Sequence, residues 1–108
     1  MQVSVAKNGT NLSSTKVNKA ETKTGTGEFA AYDTLDIPAV AYEDANNPLV
    51  PCEIVDVDGN AVAHAGAGRT VTYSNAIISS TLAGVYKAVA LYRDGTKAEL
   101  DFTVTWQA

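Results

Sequence analysis

The chain has 108 residues, a formal net charge of -4 at pH 7 and 45% hydrophobic residues. This length accommodates one domain and excludes a second full one, while the composition is that of an ordinary globular protein and excludes wholesale disorder. The acidic balance, with a pI near 4.7, argues against a protein that is basic overall and wraps nucleic acid. The single cysteine, Cys52, excludes an intrachain disulfide.

The charges divide the chain into two parts. Residues 1–27 hold four lysines against one glutamate, a net charge of +3, whereas residues 28–108 hold four basic against eleven acidic residues, a net charge of -7. All eight aromatic residues lie in the second part. Because the first part has few apolar residues, we predict a basic N-terminal arm over 1–27, flexible or ordered by a partner, and a domain over 28–108. The candidate partner-binding residues of the arm are Lys7, Lys16, Lys19 and Lys23.

Short alternating segments separated by turn residues predict β-strands along the chain. The first is a short strand over 2–6, and a strand over 34–42 follows the arm, with Pro38 at an edge or a bulge. Asp58-Gly59 predicts a tight hairpin turn, because both residue types tolerate positive φ. The other candidate strands of this stretch cover 50–57, 60–64, 69–73 and 76–80.

The C-terminal third carries the strongest pattern. Over 97–106 apolar residues alternate with polar ones, which predicts a strand with one face in a core and one in water. Asp94-Gly95 joins it in a hairpin to a strand over 84–93. No window shows the apolar stripe of an amphipathic helix. About seven short strands with turn signals between them therefore predict an all-β sandwich.

The run over 82–88, which reads LAGVYKA, resembles the approach to the sixth strand of immunoglobulin-like domains. In that family a tyrosine at the position of Tyr86 forms a tyrosine corner, in which its hydroxyl bonds back to the backbone. Ala88 stands where antibody domains place their second cysteine. The hairpin over 83–106 is also similar to the closing hairpin of bacterial and phage immunoglobulin-like modules, and 55–60 resembles their central hairpin.

The resemblance implies an immunoglobulin-like β-sandwich of about seven strands with an extended N-terminal arm. Its structural residues are then Tyr86, Phe102 and Trp106. With Tyr86 in the core, the opposite face of the strand over 84–93 carries Val85, Val89 and Leu91. An apolar outer face of this kind predicts a docking surface; the alternative is that the arm or a loop covers it.

No combination of residues predicts catalysis or a metal centre. His64 is the only histidine and Cys52 is the only thiol. Strand pairing across the hairpin at Asp58-Gly59 is enough to place them opposite each other, so they do not indicate a catalytic pair. A zinc site needs three or four such ligands. Asp56 begins a segment like a calcium loop, but the twelfth position is Ala67 instead of glutamate, so an ordinary turn is favoured. Weak calcium binding through Asp56 and Asp58, joined by Asp33 or Asp36, is a minor alternative. We therefore predict a non-enzyme without a cofactor.

A small disulfide-free domain of this class, with an initiator methionine, no signal peptide and no membrane segment, resembles a phage structural protein. This resemblance implies a virion protein, made in the host cytoplasm, that decorates or cements a capsid in many copies. Its arm would bind the major capsid protein or other virion subunits. Nucleic acid is not an expected partner, because the lysines lack interleaved arginine and aromatic residues.

Two other function classes stay open. In the first, the chain is a cell-surface adhesion or carbohydrate-binding module, and Tyr42, Tyr73 or Trp106 stacks on a host-surface glycan. In the second, it is a small inhibitor or chaperone that uses a sheet edge.

Overall fold

Nearly all regular structure of the chain is β-strand. The computed structural model describes residues 1–40, 49–64 and 70–108, and these contain nine strands and a 3-10 turn at Ser80–Leu82. The strands are β1 (Gln2–Lys7), β2 (Thr10–Lys16), β3 (Thr22–Phe29), β4 (Thr34–Val40), β5 (Leu49–Val55), β6 (Ala61–His64), β7 (Thr70–Ile77), β8 (Gly84–Tyr92) and β9 (Lys97–Trp106).

The strands form two sheets. One has the order β2-β1-β4-β7 and the other has the order β3-β9-β8-β5-β6. The pairing of β3 with β9 is parallel, whereas the other pairings are antiparallel. Apolar residues of both sheets share a single buried cluster. The predicted all-β sandwich is confirmed, with about nine strands instead of about seven.

The hairpin of β8 and β9 forms as predicted, with one face of β9 buried. Tyr86 pairs with Phe102 and Ala88 with Leu100, and all four side chains are buried. The turn between the strands places Gly95 at φ 88°, a conformation that favours glycine. This hairpin forms the centre of the larger sheet, since β3 and β5 pair with its two outer edges.

The structure differs from the expectation of an arm over 1–27, because these residues form β1, β2 and most of β3. Val3 and Val5 of β1 have no exposed surface, and neither has Val17 beyond β2. The terminal ammonium of Met1 donates to the Val17 carbonyl at 2.8 Å, and the Val17 amide donates to the Met1 carbonyl at 2.8 Å. This segment therefore lies in both sheets, although its composition resembles that of a flexible leader.

Two features account for the remaining differences in strand count. β2 and β3 lie at sheet edges, where a strand needs few apolar residues because most of its side chains face water. The candidate strands 69–73 and 76–80 are replaced by one strand, β7, which ends at Ile77 and is interrupted by a bulge opposite Asp36; residues 78–80 lie outside it, and the 3-10 turn begins at Ser80. At that bulge Asn75 has φ 57°, and its amide donates to the Asp36 carboxylate at 2.8 Å.

Burial of β1 leads to a stability prediction. We expect Val5→Ala to lower the free energy of unfolding by about 1–3 kcal/mol, because it leaves a cavity in the core. Thr22→Ala, at an exposed position of β3 within the same N-terminal segment, should change it by about 0.5 kcal/mol or less. Chemical denaturation of the variants measures both effects. Equal stability of Val5→Ala and the wild type would contradict the placement of β1 and favour a flexible arm.

Candidate functional site

The outer face of β8 carries the candidate docking surface, defined as Val85, Val89 and Leu91. Because successive side chains of a strand point to opposite faces, burial of Tyr86 places these three on the outer side of the larger sheet. Val85 is 41% exposed and Leu91 is 40% exposed, whereas Val89 is half-buried. The structure thus leaves two large aliphatic side chains of this face open to solvent.

Lys87, which is paired with two carboxylates, lies in the middle of this surface. The Lys87 Nζ atom is 3.5 Å from Glu99 Oε1 and 3.5 Å from Asp101 Oδ1, both on the neighbouring strand β9. The two carboxylates, Asp101 first, raise the pKa of Lys87. The lysine is therefore paired, and the three groups together carry a net charge of -1.

Tyr86 makes the hydrogen bond that the tyrosine-corner resemblance implied. Its hydroxyl donates to the Leu82 carbonyl at 3.0 Å, and its ring stacks on Tyr73 at 5.6 Å between centroids. Burial, with a smaller effect of Tyr73, raises the pKa of Tyr86 above the ordinary value for tyrosine. Phe102 is buried in the same core, and Trp106 packs against it half-buried.

Side chains of the arm lysines contact other groups of the chain, as Lys7, Lys19 and Lys23 show. The Lys7 Nζ atom donates to the Glu28 carbonyl at 3.0 Å and lies 5.6 Å from the centroid of the Phe29 ring. The Lys23 Nζ atom donates to the Lys16 carbonyl at 2.8 Å, and this bond joins β3 to β2. These contacts connect the two sheets along one edge of the sandwich.

Lys19 connects the N-terminal segment to the turn between β8 and β9. Its Nζ atom lies 2.7 Å from Asp94 Oδ2 and 5.8 Å from the centroid of the Tyr92 ring. Lys19 and the Thr96 hydroxyl lower the pKa of the Asp94 carboxyl group. Part of the basic charge of residues 1–27 is thus used to hold that segment against the acidic part of the chain.

The residues considered for catalysis and metal binding, which are Cys52, His64 and Asp56, belong to strand pairs and to a hairpin turn. Cys52 is buried, and the register of β5 and β6 pairs His64 with Glu53 instead of Cys52. The Asp56 carboxylate accepts the backbone amides of Asp58 at 2.9 Å and Asn60 at 3.0 Å, and so closes the predicted hairpin turn.

A search of the described ranges 1–40, 49–64 and 70–108 finds no group of three or more His, Cys, Asp or Glu that could hold a metal ion. In the same part of the chain no helix has the length and apolar character needed to cross a membrane.

Two of the three aromatic residues considered for glycan stacking are half-buried in the structure. Tyr73 is half-buried against Tyr86, and Trp106 packs on the core. Tyr42 lies outside the described residues. Sequence reasoning missed Tyr32, which is 85% exposed in the turn between β3 and β4. The signal that could have found it is an aromatic residue between two predicted strands, directly before Asp33.

Comparison of the chain with protein-family models and with curated proteins finds no match. The function is therefore argued from the surfaces of the chain itself.

The Tyr86 hydroxyl gives the next prediction. Tyr86→Phe leaves the half-buried Leu82 carbonyl without this donor, and we expect the free energy of unfolding to fall by about 1–2 kcal/mol. Tyr32→Phe removes an exposed hydroxyl and should change it by about 0.5 kcal/mol or less. Thermal or chemical unfolding at neutral pH tests the difference. Equal stability of Tyr86→Phe and the wild type would show that the hydrogen bond contributes nothing.

The raised pKa of Tyr86 also predicts a pH dependence. An unfolded tyrosine ionises near pH ~10, whereas folded Tyr86 keeps its proton to higher pH, so the wild type loses stability as pH rises above about 10. Phenylalanine cannot ionise, so the stability difference between the wild type and Tyr86→Phe should narrow as pH rises from about 8 to about 11. Denaturation curves across this range measure it, and a constant difference would contradict the pKa shift.

Proposed function

We propose that this chain is a non-enzymatic virion structural protein, an immunoglobulin-like module that docks on a phage capsid through the outer face of β8. One observation carries the docking proposal. Val85 and Leu91 remain about two-fifths exposed on a face whose central lysine, Lys87, is already paired with carboxylates of the chain. A partner that covers this face buries aliphatic surface without stripping water from an unpaired ammonium group, and it must meet the net charge of -1 that Lys87, Glu99 and Asp101 leave.

The strand order supports the immunoglobulin-like part of the proposal. In immunoglobulin-like sandwiches strands C, F and G share one sheet, and strands B and E share the other. Here β5, β8 and β9 are neighbours in the larger sheet, and β4 pairs with β7 in the smaller one. The hydrogen bond from Tyr86 to Leu82 lies just before β8, where such domains have their tyrosine corner.

The proposed contact differs from the contact through the arm lysines that the sequence predicted. Lys7, Lys19 and Lys23 already contact groups of the chain itself, so the β8 face is the stronger candidate for the main contact with a capsid subunit. Many copies on one shell then convert a modest contact into firm attachment through avidity.

The adhesion or carbohydrate-binding alternative receives less support. A sugar-stacking platform needs an open aromatic face, but Tyr73 is stacked on Tyr86 and Trp106 is packed against the core. Neither of these two side chains offers a free ring; among the described residues the open aromatic ring is that of Tyr32.

The experiment is co-sedimentation of the purified chain with virus particles assembled from a genome that lacks its gene. We expect Val85→Lys with Leu91→Lys to weaken binding tenfold or more, because two charges then enter an apolar contact. Val40→Lys is the matched control, since Val40 is 42% exposed on the other sheet, against 41% for Val85. It should bind like the wild type.

Each result is read against the stability of the same variant. Thermal unfolding of both variants and of the wild type shows whether a binding loss reflects the altered surface or a loss of fold. A wild-type chain that stays in the supernatant would overturn the proposed function. Full binding by the Val85 and Leu91 variant would overturn the role of the β8 face.

A further inference from the structure

The turn between β1 and β2 consists of Asn8 and Gly9. Lys7 pairs with Thr10 on either side of it, and the two turn residues have φ 53° and 79°. Two-residue hairpin turns with positive φ at both positions favour this dipeptide. Both residues are exposed, and beyond the neighbouring residues no atom lies within 4 Å of the place that a Cβ of Gly9 would take. The Gly9 nitrogen therefore lies next to an asparagine side chain without a side chain of its own to shield it.

An asparagine followed by glycine is chemically reactive. The Gly9 backbone nitrogen attacks the side-chain carbonyl carbon of Asn8, Cγ. The new N–C bond closes a succinimide ring, the bond from Cγ to Nδ2 breaks, and the Gly9 amide proton leaves with the ammonia. Water then opens the ring to aspartate or isoaspartate, so the net reaction consumes water and releases ammonia. Asparagine is thermolabile in proteins, and a following glycine hinders the attack least because it has no Cβ.

Hydrogen bonds hold the Asn8 side chain in the folded chain. Its Nδ2 atom donates to Asp33 Oδ1 at 2.9 Å, and its Oδ1 atom accepts the Thr34 backbone amide at 2.9 Å. These bonds join the β1–β2 turn to the turn between β3 and β4, and we call Asn8, Asp33 and Thr34 the Asn8 junction. Ring closure removes Nδ2 and brings Cγ onto the Gly9 nitrogen, which breaks the junction. We therefore expect the reaction to start from a locally opened state.

The product of the reaction does not fit the junction. The Ala30 amide first, and then the Asn8 side chain, lower the pKa of Asp33, and the charge of Lys7 lowers it further, so this carboxyl group is ionised at neutral pH. An oxygen in the place of Nδ2 would lie 2.9 Å from Asp33 Oδ1. Two carboxylates at this distance repel each other, and neither has a proton to donate. A hydrogen bond is thus replaced by a repulsion.

The turn on the other side of the junction depends on it. Tyr32 in that turn has φ 70°, which lies in the left-handed region that bulky residues rarely adopt. The Tyr32 amide donates to the Ile78 carbonyl at 3.2 Å, and the Ile78 amide donates to the Asp33 carbonyl at 2.8 Å. The contacts with Ile78 and with Asn8 together keep the strained conformation. Loss of the bond to Asn8 removes one of these two supports.

We propose that Asn8 is a site of spontaneous hydrolytic deamidation, and that the carboxylate formed there opens the Asn8 junction. The reaction needs water alone. Freshly made and aged chains then differ in how firmly the β1–β2 turn is attached to the β3–β4 turn. This inference does not depend on the proposed function.

The first test locates the reaction. The wild-type chain is kept in mildly alkaline buffer at physiological temperature, and the tryptic peptide over 8–16 is analysed by mass spectrometry. We expect aspartate and isoaspartate at Asn8, while Asn11, which is exposed in the same peptide but precedes a leucine, stays an amide. In Gly9→Ala the reaction at Asn8 should be severalfold slower, although alanine at φ 79° strains the turn and favours its opening. Equal reaction at Asn8 and Asn11, or none at Asn8, would overturn the site.

The second test measures the protection by the junction. Asp33→Ala removes the acceptor of Asn8 Nδ2, and we expect deamidation at Asn8 to be about tenfold faster, the factor that a lost hydrogen bond to a charged group gives. Asp36→Ala is the matched control, because Asp36 is also a half-buried carboxylate of the smaller sheet that accepts a backbone amide. It should leave the rate at Asn8 unchanged. An unchanged rate in Asp33→Ala would overturn the protection.

The third test concerns the product. Asn8→Asp should melt about 4–8 °C below the wild type. Combining it with Asp33→Asn exchanges the two groups, so that the amide at position 33 donates to the carboxylate at position 8 and its oxygen accepts the Ala30 amide. This double variant should recover most of the lost melting temperature. If it melts as low as Asn8→Asp, or if Asn8→Asp melts like the wild type, repulsion between two carboxylates does not open the junction.

Discussion

The packing of Phe102 is the constraint on which the rest of the sandwich depends. In the register of β9, Phe102 lies between Gly25 of β3 and Tyr86 of β8. A Cβ atom at Gly27 would lie 2.9 Å from the Phe102 ring, and one at Gly25 would lie 3.2 Å from it. Strand β3 therefore reaches its parallel pairing with β9 only because glycine leaves room for the ring. Through this contact the N-terminal segment enters the larger sheet.

Two outward surfaces follow from the same framework. Alternation along β8 buries Tyr86 and leaves Val85 and Leu91 facing water, while the turn after β3 displays Tyr32 at one end of the sandwich. At the first, Lys87 is paired with Glu99 and Asp101. At the second, the Asp33 carboxylate holds the turn through the Ala30 amide and the Asn8 side chain.

Some of the lysines of residues 1–27 interact with groups of the chain itself. The positive charge of residues 1–27 and the negative charge of the remainder suggest an arm that seeks an acidic partner. In the structure part of that attraction is satisfied within the chain: Lys19 contacts Asp94 in the turn between β8 and β9. Lys7 and Lys23 bond to backbone carbonyls along the edge where β2 and β3 meet. An uneven charge distribution along a sequence thus does not by itself identify an external partner.

The sequence by itself determined the β class and the hairpin over 84–106, because each depends on local alternation, whereas the hydrogen bond of Tyr86 was implied by the resemblance to immunoglobulin-like domains. It also determined which side of β8 carries Val85 and Leu91. Only the tertiary structure decided that residues 1–27 form strands and that Tyr32 is displayed on a strained, rigid turn. These features depend on partners far away in sequence: β3 needs β9, and the turn at Tyr32 needs Asn8 and Ile78. A local pattern cannot register contacts that exist only after the chain has closed on itself.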